Sequence, residues 1–295
     1  VMDQIRAELQ GAPLALGMMR LLDYPELCPA SALAAWIEAR LDQGLKVFDH
    51  ANIYGGGECE RLFGLALQAA PALKEHVRLI SKCDIVPPAE DGSSEFVKHY
   101  NTEAAYVMAC VDDSLRRLQV DSIDCFLLHR PDPLMPVENT ARVLEDLLMA
   151  GKIKSIGVSN FLPEHWRLLA DHLNAPLLCN QIELSVLANQ SLFDGTMDAL
   201  RRDQVQTMAW SPLGGGGLSR IPALRDALAK MSAQTGVSET GLALSWLKRI
   251  PGSPLPVLGS LRESRINDAI SGVGHEMSRT DWYALLEAAR GHCVA

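Results

Sequence analysis

The feature that most constrains this chain is an alternation of apolar strand and amphipathic helix that does not break from Leu14 to Arg290. Strands are predicted at 14–19, 46–54 (turning polar at its end), 77–83, 122–129, 153–158, 177–184, 205–211 and 255–258. Helices fill the intervals: 31–44 with a serine cap at Ser31 and a glycine stop, 58–70, a stretch marked by Val107, Met108, Val111, Leu115 and Leu118, then 137–149, 163–173, 191–202, 223–235, 239–248, 263–271 and 278–290. Short apolar runs bounded by turn residues read as buried strands, and 3.6-residue apolar periodicity reads as helix. Eight parallel strands joined by right-handed helical crossovers close most simply into a (β/α)8 TIM barrel. Such a barrel needs about 250 residues, so the 295 present form one domain, 1–295, without a linker or repeat.

Three of these strands end in ionisable groups. The run Lys46-Val-Phe-Asp-His-Ala-Asn-Ile-Tyr54 delivers Asp49 and Tyr54, the third strand ends in Lys82, and the fourth ends in His129. Carried on successive parallel strands, the four converge at the C-terminal face of the barrel. Together they suit carbonyl reduction. An isolated tyrosine, with a pKa of about 10, is a slow proton donor near neutral pH. A lysine ammonium beside it would favour the phenolate, an aspartate would hold that lysine charged, and a histidine would hydrogen-bond the carbonyl oxygen. Each residue alone also has a structural reading, as a salt bridge at strand ends or a hydrogen-bonded core histidine.

Charge and composition narrow the partners. A formal charge of -9 argues against a general nucleic-acid or anionic-membrane surface. No apolar run approaches the ~18 residues of a membrane span. Seven cysteines, without a C-x-x-C pair and mostly inside apolar patterns, read as reduced core residues of a cytoplasmic protein. Metal-ligand spacing is absent, and so is the G-x-G-x-x-G of a Rossmann site.

Seven motifs fall in the order and spacing of the aldo-keto reductases: Asp49-x-Ala51-x-x-Tyr54-Gly55 with Glu58, Ser81-Lys82, Leu127-Leu-His129, Gly157-Val-Ser-Asn-Phe161, Asn180-Gln181-x-Glu183, Ala209-Trp-Ser-Pro-Leu-Gly214, and Gly259-Ser260 with Arg262 and Arg265. The chain resembles that family from about Leu14 to its last helix, and most resembles a bacterial group of oxidoreductases sharing the His129-Arg-Pro-Asp-Pro133 variant. The resemblance implies NADP(H) as cofactor, with Tyr54 as acid–base residue, Lys82 and Asp49 as its tuners and His129 as the orienter.

On the cofactor side the resemblance assigns Met18 near the end of the first strand, Ser159, Asn160 and Gln181 to the carboxamide, and Trp210 to stacking on the nicotinamide. It assigns Ser211, Leu213, Gly214 and Gly215 to the pyrophosphate loop, and Ser260, Arg262 and Arg265 to a clamp for the 2′-phosphate, a role an arginine fork suits. Asp268 would lie near the adenosine, where Ala269 departs from a position that is commonly Asn. The expected partner is a small carbonyl compound, neither nucleic acid nor membrane, and the expected state is a monomer, with a weak homo-oligomer as the alternative. Substrate choice would lie in Met18, Met19, Ile53, the loop over 86–102 and the loop after Trp210. Two other classes stand beside this reading: a nucleotide-binding regulatory barrel with little turnover, and a barrel enzyme using metal or carboxylate chemistry.

Overall fold

The computed structural model describes residues 2–88 and 96–295. Eight parallel strands close into a barrel: β1 (Ala15–Gly17), β2 (Val47–Asp49), β3 (Arg78–Cys83), β6 (Cys125–Leu128), β7 (Ile156–Ser159), β8 (Leu177–Glu183), β9 (Gln206–Trp210) and β10 (Leu255–Leu258), with β10 returning to β1. The helices are α1 (Met2–Gly11), α2 (Ala30–Asp42), α3 (Glu58–Ala69), α4 (Ala104–Leu118), α5 (Val137–Met149), α6 (Pro163–Ala170), α7 (Thr196–Arg202), α8 (Pro222–Thr235), α9 (Glu239–Lys248), α10 (Glu263–Val273) and α11 (Arg279–Arg290). The TIM barrel expected from the alternation is the fold observed.

Strand periodicity splits the core in two. Val47, Ile80, Cys125, Leu127, Cys179, Met208, Leu255 and Val257 belong to one buried cluster, whereas Leu16, Phe48, Leu79, Phe126 and Val158 belong to the larger cluster that contains the helices' apolar faces. Successive side chains point to opposite faces of a strand. The first set therefore fills the barrel, and the next residue of the same parity on each strand reaches its C-terminal mouth. That parity selects Gly17, Asp49, Lys82, His129, Ser159, Gln181, Trp210 and Gly259. One register thus determines both the packing of the barrel and the membership of its rim.

Three elements differ from the sequence expectation. Helix α1 was not anticipated; its Ile5 and Leu9 are buried against the barrel-filling cluster and close that end. Helix α2 begins at Ala30 with Pro29 as its N-cap residue, so Ser31 lies inside the helix and caps nothing. The N–H of an N-cap residue has no intrahelical bond to lose, so a proline is tolerated there, and its φ of -62° with ψ 133° is extended as that position requires. The connection expected over 86–102 pairs β4 (Ile85–Val86) with β5 (His99–Tyr100) in a small antiparallel sheet; residues 89–95 of that connection lie outside the described residues. Two-residue strands are too short to leave an alternating pattern. Ser278 does cap α11, accepting the N–H of Asp281 at 3.1 Å.

Candidate active site

At the mouth, Lys82 is fully buried and its ammonium is completely engaged. Its Nζ donates to Asp49 Oδ2 at 2.8 Å, to the backbone carbonyl of His50 at 2.8 Å and to the Tyr54 hydroxyl at 3.2 Å. The other oxygen of Asp49 accepts from Gln181 Nε2 at 2.8 Å. Burial works against the charge on Lys82, but Asp49 and Tyr54 outweigh it and hold the ammonium above the ordinary lysine value.

Tyr54 reaches this centre from a turn beyond β2. The turn Tyr54–Gly57 places Gly55 at φ 57°, and a Cβ there would meet Leu22 Cδ1 at 2.6 Å. Glycine is what permits both the backbone angle and the close approach. The phenol differs from expectation in one respect. Burial raises it above its ordinary value and Asp49 adds to the rise; Lys82 pulls the other way without reversing it. Desolvation of the phenolate exceeds the attraction of an ammonium whose charge Asp49 already partly answers. Tyr54 is held as the neutral, proton-bearing phenol.

His129 lies against Tyr54, with ring centroids 6.2 Å apart and the planes at 79°. Burial, reinforced by Lys82 and Arg130, lowers its imidazole to about 2, so the ring is neutral at any ordinary pH and can donate one N–H. Its Nδ1 is buried without a partner.

The tetrad opens onto a cavity of about 720 Å³. Ser159, Asn160, Gln181, Trp210, Ser211, Leu213, Gly215, Ser260 and Arg265 line it, as do Met19, Ile53 and Arg130. Asn160 organises one wall: its Nδ2 donates to Ser159 Oγ at 2.9 Å and to the carbonyl of His129 at 3.2 Å, while its Oδ1 accepts from Trp210 Nε1 at 2.9 Å. Ser159 Oγ in turn donates to the Gln181 carbonyl at 2.8 Å. The indole plane is thereby fixed at the cavity edge, with the Arg130 guanidinium 5.9 Å from its ring centre. A second cavity of about 510 Å³ continues from Ser260 and Arg265 and is lined by Arg262, Arg20, Tyr24 and two carboxylates, Asp23 and Glu26.

Three residues expected at the site are placed elsewhere. Met18 is fully buried in the core cluster and only its neighbour Met19 meets the cavity, because parity along the chain turns Met18 away. Asp268 lies on α10 and lines neither cavity. Gly214 does not line the cavity either; a Cβ on it would meet Leu187 Cδ1 at 2.5 Å. Arg262 lines only the second cavity. Arg20 and Arg130 were missed as site residues: one is an isolated arginine after two methionines, the other lies in the His129-Arg-Pro-Asp-Pro133 run, which marks a bacterial group and in which only the histidine is given a role. Among the described residues no cluster of three or more His, Cys, Asp or Glu side chains could hold a metal ion, and no helix is long and apolar enough to cross a membrane.

Comparison with known proteins points the same way as the site. Residues 13–289 match the sequence model of the Aldo/keto reductase family. The 6-dehydroglucose reductase of Agrobacterium fabrum is 40% identical over 290 residues, 98% of this chain and 97% of its own. Oxidoreductase YdhF of Escherichia coli is 38% identical over 95% of this chain and 94% of its own. Among solved structures, an aldo/keto reductase from Klebsiella pneumoniae in complex with NADP and acetate superimposes with a TM-score of 0.74 at 24% identity, covering 93% of this chain and 89% of that one.

Proposed function

The chain belongs to the aldo/keto reductase family, and from that premise we propose that it is an NADP(H)-dependent reductase of aldehydes or ketones in which Tyr54 is the proton donor. The observation that carries this reading is the single ammonium of Lys82 joining Asp49 to Tyr54 beneath the cavity. The residues around the cavity fit a dinucleotide. Trp210 offers a ring face, Ser211 and Gly215 hold positive φ in a loop whose backbone can approach a pyrophosphate, and Arg20, Arg262 and Arg265 outnumber Asp23 and Glu26 around an opening where an arginine fork suits a phosphate dianion. The Klebsiella relative is described with NADP bound.

When bound, the nicotinamide supplies a hydride. The protein's part is to place the carbonyl oxygen and to manage one proton. His129, kept neutral, donates its free N–H to that oxygen as negative charge develops. Tyr54, kept protonated by burial, transfers its proton to the same oxygen. Lys82 then faces a phenolate it is already bonded to, which limits the cost of the proton's departure. Asp49 holds Lys82 in place throughout, and Gln181 holds Asp49.

For the substrate, the Agrobacterium relative is named for 6-dehydroglucose, so polyhydroxylated aldehydes are the first class to test. The experiment follows NADPH oxidation across sugar aldehydes, simple aldehydes and ketones. Carbonyl-dependent oxidation that Tyr54→Phe abolishes is the expected result. Tight NADPH binding without turnover on any carbonyl would favour the regulatory barrel instead.

A further inference from the structure

Asp84 plays no part in the chemistry above, yet it is fully buried two residues beyond Lys82. Its φ is 98°, a left-handed conformation that glycine adopts freely and a side chain adopts under strain. Burial pushes its carboxyl up to about 8, with Asp132 and Cys110 adding to the rise. A turn that only needed to reverse direction would be better served by glycine. A strained and desolvated carboxyl is retained where it holds something.

What it holds is the segment after β6. Its Oδ1 and Oδ2 lie 3.1 and 3.0 Å from the N–H of Arg130. Its own carbonyl accepts the N–H of Asn101 at 2.8 Å, tying in the small β4–β5 sheet. Just before it, the Cys83 carbonyl accepts the N–H of His129 at 2.9 Å, and Asn160 donates to the His129 carbonyl at 3.2 Å. Among the described residues, every polar hold on His129 is therefore on the backbone. The imidazole Nδ1 is buried with no partner, so the ring's direction follows from where its peptides are fixed and from its contact with Tyr54.

We propose that Asp84 is a positioning residue for carbonyl reduction: its carboxyl grips the Arg130 N–H, fixing the peptide after His129 so that the imidazole stays against Tyr54 and the Arg130 guanidinium stays over Trp210. The ionisable groups facing Asp84 are Asp132 beyond β6 and Cys110 on α4; His129 and Arg130 face it through their backbone N–H groups. Ionising the carboxyl strengthens its grip, since a charged acceptor bonds more strongly than a neutral one.

This inference rests on the reduction reading, and the test separates the two. Asp84→Gly removes the carboxyl and relieves the backbone. It is expected to fold with an undiminished melting temperature and still to bind NADPH, read as a rise of that melting temperature with NADPH present, while kcat at saturating NADPH falls roughly tenfold or more, as displaced catalytic groups do. Asp84→Asn, whose amide oxygen can accept the same N–H, should recover most of kcat. A folded Asp84→Gly with wild-type kcat overturns the proposal. Should Asp84→Gly fail to fold even with NADPH present, Asp84→Asn decides by its pH profile, because an amide cannot ionise: a wild-type-to-Asn ratio of kcat that rises as pH passes about 8 supports the grip, and a ratio that stays flat overturns it. A wild type inactive on every carbonyl removes the reduction reading and this one with it, whereas an active wild type matched by Asp84→Gly removes this one alone.

Discussion

The two ends of the cavity are built on opposite principles. At the tetrad end the charges are buried and already satisfied: Lys82 spends its three protons on Asp49, the His50 carbonyl and Tyr54, and Asp49 is also held by Gln181. At the other end Arg20, Arg262 and Arg265 stand on exposed positions around an opening that Asp23 and Glu26 also line, so their charge is open to solvent and to an arriving anion. A buried pair gains from its low-dielectric surroundings but is costly to break, while an exposed charge contributes little to the fold and remains available to a ligand. Substitutions that break the charge pair at the first end should therefore strike fold and rate together, and those at the second should strike affinity alone.

The largest test of that contrast is Lys82→Met. It leaves the Asp49 carboxylate buried with only Gln181 as partner, a loss expected to cost about 3–5 kcal/mol of stability. Tyr54 also loses the one group that opposes the upward push of burial and Asp49, so residual kcat should be severely reduced and the basic limb of its pH profile should move upward. Urea unfolding with and without NADPH, and kcat against pH for the folded fraction, measure the two effects. A folded variant with unchanged turnover and profile would show that the pair is only structural.

Tyr54→Phe should separate what Lys82→Met combines. Lys82 keeps its bonds to Asp49 and the His50 carbonyl, so stability and NADPH affinity should hold while kcat falls by about two orders of magnitude or more, the scale of a lost general acid. Turnover near the wild-type rate would rule Tyr54 out as proton donor. At the arginine end, Arg265→Ala and Arg262→Ala should each weaken NADPH binding by about 1.5–3 kcal/mol and NADH binding much less, with an unchanged melting temperature. Arg265, which lines both cavities, should show the larger loss. Equal losses for both cofactors would place these arginines in the fold and not at the phosphate.

The same contrast explains what the sequence could reveal. The barrel was legible because eight short apolar runs, buried on both faces, alternate with helices of 3.6-residue periodicity, and the tetrad was legible because its members stand at or just beyond the ends of three of those runs. Tyr54 was readable despite its turn, through the spacing from Asp49 and the glycines that follow. What the sequence hid depends on approach between segments far apart in the chain. Arg20 and Arg262 meet only once β1 and β10 pair. The Asp84 carboxyl finds the Arg130 N–H only across neighbouring strands. The direction of the Tyr54 shift was hidden for a different reason: it is a balance between burial and two opposed charges, and burial depth cannot be read from residue types.

The smallest expected effect concerns His50, which lies behind the tetrad. Its ring is fully buried, packs edge-on against Phe63 with centroids 4.7 Å apart, and has neither nitrogen partnered. Burial, with Lys82 adding to it, lowers the imidazole to about 3. The folded protein therefore keeps His50 neutral while the unfolded chain takes up a proton below about pH 6.5, and stability present above that pH is lost as pH falls toward 3. His129, lowered to about 2, acts in the same direction. Asp84, raised to about 8, acts in the opposite one: it carries a proton in the folded state that the unfolded chain has released, so it favours folding as pH falls. Two histidines against one carboxyl leave the unfolded chain binding about one extra proton, a slope of roughly 1.4 kcal/mol per pH unit around pH 5.5, above the range where most carboxylates titrate. His50→Leu removes one of the two histidines and two unsatisfied nitrogens, so it should leave stability at neutral pH unchanged or higher and bring that slope close to zero. Arg262→Ala and Arg265→Ala should keep the wild-type slope. If His50→Leu keeps it too, the imidazole is not held neutral by its burial, and the acid sensitivity of the tetrad end must come from His129 alone.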